Sequence, residues 1–298
     1  MSYKSEKFFL LPALAALLFV LSGFTAPVRV IPLYGRPSGE NERIVIRKVV
    51  SGADTGMLLI NTRTFETVLV PSQRVNVGKF YESPDSLADD SPYFRLRRRM
   101  MERYDLCPGG VPAYDGPGYM LTCDLCPSSK PLDRDFLNYL AREGISPVYI
   151  CISGRWIGRH AEDLRWLKEL EGVDIVWVNH SLTHYYAPGV PYSRNFMLKP
   201  GTDWKMEILG NEEAMLARGL VPSPFFRYPG LVSNRALALE VLRYGLIPLG
   251  SNAWMAKEER PQAGSIILLH ANGNEPQGLE LFRKWQRNTG LKPEKFKY

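Results

Sequence analysis

The chain has 298 residues, 45% of them hydrophobic, which is apolar material enough for one large domain or two ordinary ones and excludes a globally disordered protein. Basic residues number 37 and acidic residues 31; the net charge of +6 is compatible with an anionic cell-envelope surface without defining one. The one dense basic run, Arg95 to Arg103, carries two methionines and no interleaved aromatics, so it reads as a solvated helix face and no nucleic-acid partner is expected.

At the N-terminus, Lys4 and Lys7 precede an apolar segment from Phe8 to Val20, extended by Leu21 and Phe24. That is the layout of an export signal. Phe24 and Pro27 flank a cut after Ala26 unfavourably, so an uncleaved anchor stays open, although the segment is short for a spanning helix. Residues 1–26 are therefore expected to be a signal peptide or membrane anchor. The folded part is expected outside the cytoplasm, in periplasm, envelope or medium, touching membrane only through that segment. Residues 27–118 form a small β-rich region with a linker: Ile44 to Val50 and Met57 to Val70 suit strands, Tyr93 to Tyr104 a helix, and Pro108 to Gly118 a rim loop or linker.

From Tyr119 the pattern alternates strand and helix. Strands are expected at Tyr119 to Cys123, Val148 to Ile152, Val173 to Val178, before Arg227, at Leu246 to Leu249 and at Ser265 to Leu269. Helices are expected at Asp133 to Glu143, Ala161 to Glu171, Asp203 to Arg218, from a Ser233 cap to Tyr244, and at Glu280 to Asn288. Such alternation implies parallel strands, and about six units suit an incomplete barrel better than an eightfold one.

The stretch VDIVWVNHSLTH, Val173 to His184, reads as a strand covered on both faces that runs into His180 and His184. If the chain turns helical there, both imidazoles stack on one face and hold a divalent metal. An isolated HxxxH is more often incidental. What raises this one is its place at a strand end, beside Asp124, Arg227, Trp254 and His270 at others, because a parallel barrel brings all strand C-termini to one face. Taken singly, each has a plain alternative: a helix cap, a surface arginine, a core tryptophan, a satisfied core histidine. Cys107, Cys123, Cys126 and Cys151 read as buried thiols or one disulfide, since a single CxxC does not make a structural zinc site.

The order Thr122-x-Asp124, His180-Ser181-Leu182-Thr183-His184, Arg227-Tyr228-Pro229-Gly230, Trp254 and Leu268-Leu269-His270 resembles the polysaccharide deacetylases of carbohydrate esterase family 4, with a NodB-type domain over residues 119–298. The resemblance implies an α/β fold, a distorted incomplete (β/α) barrel, here preceded by the β-rich module. It implies a monomeric hydrolase that removes N-acetyl groups from amino-sugar polysaccharide. In that scheme His180 and His184 hold a divalent metal, usually zinc, with Asp124 as a further ligand. Asp124 is also the base, Arg227 its partner, His270 the acid, and Trp254, Tyr228 and Pro229 line the substrate.

One departure stands out. Where the family carries Thr-Phe-Asp-Asp-Gly-Pro, this chain has Thr122-Cys123-Asp124-Leu125-Cys126-Pro127. Leu125 replaces the third metal ligand, so Asp124 or Cys126 must complete the site. Otherwise the enzyme works without metal, as cyclic-imide hydrolases of similar appearance do, or the domain only binds glycan. The first reading is preferred because Thr122, Asp124, both histidines, Arg227 and His270 are all present. The residue that orients His270 is not evident in Ser251-Asn252-Ala253. Trp156, Tyr185, Tyr186 and Tyr192 are candidate sugar platforms.

Overall fold

The computed structural model describes residues 26–106 and 108–298. Apart from Ala26, the export signal or anchor lies outside the described residues, as does Cys107. Among the described residues, no helix is long and apolar enough to cross a membrane.

Five antiparallel strands come first: β1 (Val28–Pro37), β2 (Arg43–Ser51), β3 (Asp54–Asn61), β4 (Thr67–Pro71) and β5 (Val77–Tyr81), in the order β4-β3-β2-β1-β5. The patterning at 44–70 anticipates β2 to β4. It misses β1, whose Pro32, Gly35 and Pro37 resemble loop; the strand absorbs them with a register shift between Pro32 and Gly35. Helix α1 (Pro92–Glu102) buries Tyr93, Phe94, Leu96 and Met100.

Seven parallel strands follow: β6 (Met120–Leu125), β7 (Val148–Ile152), β8 (Ile175–Asn179), β9 (Pro222–Phe226), β10 (Ile247–Pro248), β11 (Ala253–Trp254) and β12 (Ile266–Leu269). Their order is β10-β9-β8-β7-β6-β12-β11, an α/β sheet that curls into an incomplete barrel, as expected. Trp254 lies on β11, at the edge opposite the IPLG strand it follows in sequence.

Alternation along these strands decides which residues reach the site. On β6 and β7, Leu121, Cys123, Leu125, Val148, Ile150 and Ile152 face one core. There they meet Phe136, Leu137 and Leu140 of α2 (Arg134–Arg142) and Leu164 and Leu167 of the helix Ala161–Glu169. Full burial of each such side chain stabilises by roughly 1.5–3 kcal/mol. Met120, Tyr149 and Cys151 face the other core. Asp124, between Cys123 and Leu125, therefore points to the inner side, and Leu125 points away from it.

Two expectations need correction. On β8 only Val178 and Asn179 are buried, while Ile175, Val176 and Trp177 are half-buried, so that strand is not sealed on both faces. The cap of the helix Arg235–Arg243 is Asn234, whose side chain accepts the Leu237 amide, and not Ser233. Ser233 instead hydrogen-bonds the Pro108 carbonyl oxygen.

The antiparallel sheet shares its core with the barrel: Ile44, Ile46, Leu58 and Ile60 pack in one cluster with Phe225, Leu237 and Val241. Across that junction, Arg47 of β2 grips Glu212 with two hydrogen bonds, Nε to Oε2 at 2.7 Å and Nη2 to Oε1 at 3.0 Å, both side chains fully buried. Removing one partner strands a charge in the interior, whereas replacing both with apolar groups of similar size does not. Arg47→Ala is therefore expected to cost about 3–5 kcal/mol in denaturant unfolding. The double substitution Arg47→Met with Glu212→Leu should restore most of it; equal losses in both would contradict this account.

Candidate functional site

The inner ends of the parallel strands converge on a cleft of about 520 Å³, lined among others by Asp124, Cys126, His184, Tyr192, Trp254 and His270. Asp124 and Arg227 sit at its floor, both buried. Arg227 Nη1 lies 3.3 Å from Asp124 Oδ1, and Nη2 donates to Thr122 Oγ1 at 2.9 Å and to the Gly250 carbonyl oxygen at 3.2 Å. Burial alone raises the carboxyl pKa of Asp124; the guanidinium, with His180 and His270, outweighs it and holds the group below the usual carboxylate range. Arg227 Nη1 also donates to Asp124 Oδ2 at 3.4 Å, and the Cys151 thiol hydrogen-bonds the same carboxylate, which lines the cleft.

The HSLTH segment is not helical. Ser181 and His184 take left-handed φ values of 64° and 45°, and the chain turns sharply instead. The turn still brings the imidazoles together, centroids 4.6 Å apart. His184, Phe196 and Leu231, all non-glycine residues with positive φ, line the cleft, and Ser181 belongs to the same turn. Backbone held in sparsely populated regions concentrates where geometry is imposed for function.

Cys126, His180 and His184 offer ligand atoms that all lie within 4.8 Å of one another. His180 Nδ1 is 2.9 Å from the carbonyl oxygen of Arg227, an acceptor, so the ring proton is on Nδ1 and the Nε2 lone pair is free. Burial pulls the His180 pKa down to about 4, against the pull of Asp124, which keeps the ring neutral and able to ligate. His184 Nε2 is buried without a hydrogen-bond partner. Cys126 Sγ is 3.4 Å from His180 Nε2; burial opposes its ionisation, yet His184 draws its pKa down to about 7. One thiolate and two imidazoles form a donor set that fits zinc far better than calcium or magnesium. Asp124, expected as a ligand from the motif, is not in the set; its Oδ2 lies 3.7 Å from His180 Nε2, and Arg227 and the Cys151 thiol also contact the carboxylate. Strand alternation explains the exchange: Leu125 faces the helix layer, and Cys126, just past the end of β6, turns back to the histidines.

His270, at the end of β12, places Nδ1 2.7 Å from Glu275 Oε2, and the same oxygen accepts from Trp254 Nε1 at 2.9 Å. Burial opposes charge on this ring, but Cys126 and Glu275 overcome it and push its pKa up to about 10. Glu275 is the orienting residue that reading the sequence missed. The only signal available was a carboxylate five positions after His270, in a loop without periodicity.

Some expected contributors lie elsewhere. Tyr228 and Pro229 are buried behind the cleft wall, and Gly230 and Leu231 line it instead. Trp156 is fully buried and stacked on His160, centroids 4.7 Å apart, so it is no sugar platform. Tyr186 and Tyr192, 52% and 62% exposed, do stand at the cleft and pack on Phe196. Cys123, Cys126 and Cys151 are free thiols, so none of them forms the disulfide that stood as an alternative.

No protein-family model matches the chain. Its structural neighbours are family 4 carbohydrate esterases, the class its motifs resemble. One from Streptomyces lividans, in complex with acetate, is 19% identical over 61% of this chain and 93% of its own, with a TM-score of 0.44. One from Bacillus anthracis is 20% identical over 64% and 87%, with a TM-score of 0.48. A family pseudoenzyme from Bacillus anthracis is 12% identical over 62% and 66%, with a TM-score of 0.44.

The thiols differ enough to be told apart. Cys126 is half-exposed with a lowered pKa, while burial raises that of Cys123 and of Cys151. In chelator-treated protein, alkylation mapped by mass spectrometry should modify Cys126 well before the other two. Its rate should rise through roughly pH 7, below the ordinary thiol range of about 8.5. A Cys126 that reacts no faster than Cys151 would contradict the geometry.

Proposed function

We propose that this protein is an exported, zinc-dependent amidohydrolase that removes N-acetyl groups from amino-sugar glycans. The observation that carries the reading is the His180 ring, whose proton is committed to the Arg227 carbonyl while its free Nε2 faces Cys126 and Asp124. Cys126, His180 and His184 are the residues that would hold the ion. When bound, zinc supplies a water of lowered pKa and polarises the acyl carbonyl.

The chain's own groups account for the proton traffic. The Asp124 carboxylate, held ionised and lining the cleft, accepts the proton of the attacking water. Arg227 keeps that carboxylate charged and oriented. His270, held by Glu275 and carrying a proton, delivers it to the nitrogen as the carbon–nitrogen bond breaks. Water adds to the acyl carbon, acetate leaves, and the sugar keeps a free amine. Trp254 closes one wall beside His270, ring centroids 5.8 Å apart, and Tyr186 and Tyr192 give flat faces on which sugar rings pack. Lys4, Lys7 and the apolar run after them support export to the envelope or beyond.

Acetate release from chitin oligomers, peptidoglycan and poly-N-acetylglucosamine, with zinc content measured in parallel, tests the reading. Wild type should bind one zinc and act on at least one of these. His180→Ala and Cys126→Ser should lose metal, and Asp124→Asn should retain metal but lose about 10²–10⁴-fold in kcat. Metal-free protein with undiminished activity, or zinc-loaded protein inert on every N-acetylated glycan, would overturn it. Tyr192→Ala, by contrast, is expected to raise KM for oligomers with kcat nearly unchanged; a selective fall in kcat would contradict a platform role.

A further inference from the structure

The turn that carries both histidines is gripped from behind by one buried carboxylate. Glu207, 8% exposed, accepts from Thr183 Oγ1 at 2.6 Å through Oε1 and from the Thr183 amide at 3.0 Å through Oε2. Its own carbonyl oxygen accepts the Leu182 amide at 2.9 Å. It belongs to a π-helical turn, Met206–Gly210, that leads into the short helix Asn211–Leu216. Such turns insert one residue into a helix and are frequent at functional sites. The next carbonyl, of Ile208, accepts from the Asn179 side chain at 2.8 Å, and Asn211 donates to Asn179 Oδ1 at 2.8 Å. Asn179 in turn accepts the Ser181 amide at 3.1 Å.

The far side of the same helix is fixed to the antiparallel sheet. Glu212 takes the two hydrogen bonds from Arg47, and Glu213 Oε1 accepts the Val30 amide at 2.9 Å. A series of buried and half-buried polar contacts thus runs from β1 and β2 to this helix and from it to the residues on either side of Ser181 and His184. Those two residues hold a left-handed backbone that only a surrounding frame maintains.

We propose that Glu207 is a positioning residue for the metal centre. The π-turn sets Glu207 so that both carboxylate oxygens face Thr183, and the strained turn is thereby held with both imidazoles near Cys126. This rests on the zinc-centre reading above. A glutamine at 207 can keep the Thr183 amide bond through its oxygen, but Thr183 Oγ1 must then accept from the NH2 instead of donating, and both bonds lose the carboxylate charge that strengthens them.

The test is zinc affinity of the full chain, measured by competition with a chromophoric chelator, with melting temperature recorded for each variant. Glu207→Gln is expected to weaken zinc binding about 10- to 100-fold, the usual effect of losing a group that orients a ligand. Thr183→Val, which keeps the amide bond, should weaken it less, and it carries the test if Glu207→Gln does not fold. Leu237→Ala, a core truncation distant in sequence, should lower the melting temperature without changing zinc affinity. The cobalt-substituted Glu207→Gln protein should show altered visible bands, reporting changed angles at the metal. Wild-type zinc affinity in Glu207→Gln and Thr183→Val would overturn the proposal and leave the zinc centre standing. Losses that track melting temperature as in Leu237→Ala would do the same. A wild-type chain that binds no zinc would overturn the centre and this proposal together.

Discussion

His180 donates its Nδ1 proton to the carbonyl oxygen of Arg227, and this bond couples the end of β8 to the residue that follows β9. Arg227 then reaches the end of β6 through Asp124 and Thr122. One residue therefore fixes an imidazole's tautomer with its backbone and a carboxylate's charge with its side chain. The pair is possible because β6, β7, β8 and β9 are parallel neighbours, so their C-terminal ends lie on one edge of the curled sheet. Burial makes each contact matter: Asp124, His180 and Arg227 are all withdrawn from solvent, where an unpaired group would be costly.

The polar groups of the cleft touch one another. Cys126, His180 and His184 form a soft donor set, and His270, held by Glu275, lies within hydrogen-bond reach of Cys126. Asp124 is held below the usual carboxylate range by Arg227 beside it. Two titratable groups are pushed in opposite directions, a carboxylate down and an imidazole up, which is what the proposed acid and base require at neutral pH. The antiparallel sheet is part of this arrangement, because its buried Arg47 holds the helix behind the histidine turn.

Much of this was legible in the residues alone. Apolar runs marked β6 to β9 and β12; both faces of β6, β7, β9 and β12 are buried, and short apolar strands leave few other readings. The polar residues at their ends marked the site. Three features were hidden, each for a physical reason. The turn at His180 to His184 has helical spacing, but its left-handed residues are fixed by Asn179 and Glu207 from outside the segment. Cys126 was legible as a candidate ligand beside Asp124, and the alternation of β6 separates the two, since Leu125 faces outward and the next residue returns. Glu275 sits in a loop, where no periodicity points a side chain anywhere, and it is recognisable only by its 2.7 Å contact with His270. β1 was concealed by its prolines, which a bulge accommodates.

The central claim is that a thiolate completes the metal centre in place of a carboxylate. Zinc K-edge X-ray absorption on the loaded protein measures this directly. The account predicts a shell with one sulfur at about 2.3 Å and imidazole nitrogens at about 2.0–2.1 Å. A shell of nitrogen and oxygen alone, with no sulfur scatterer, would contradict it.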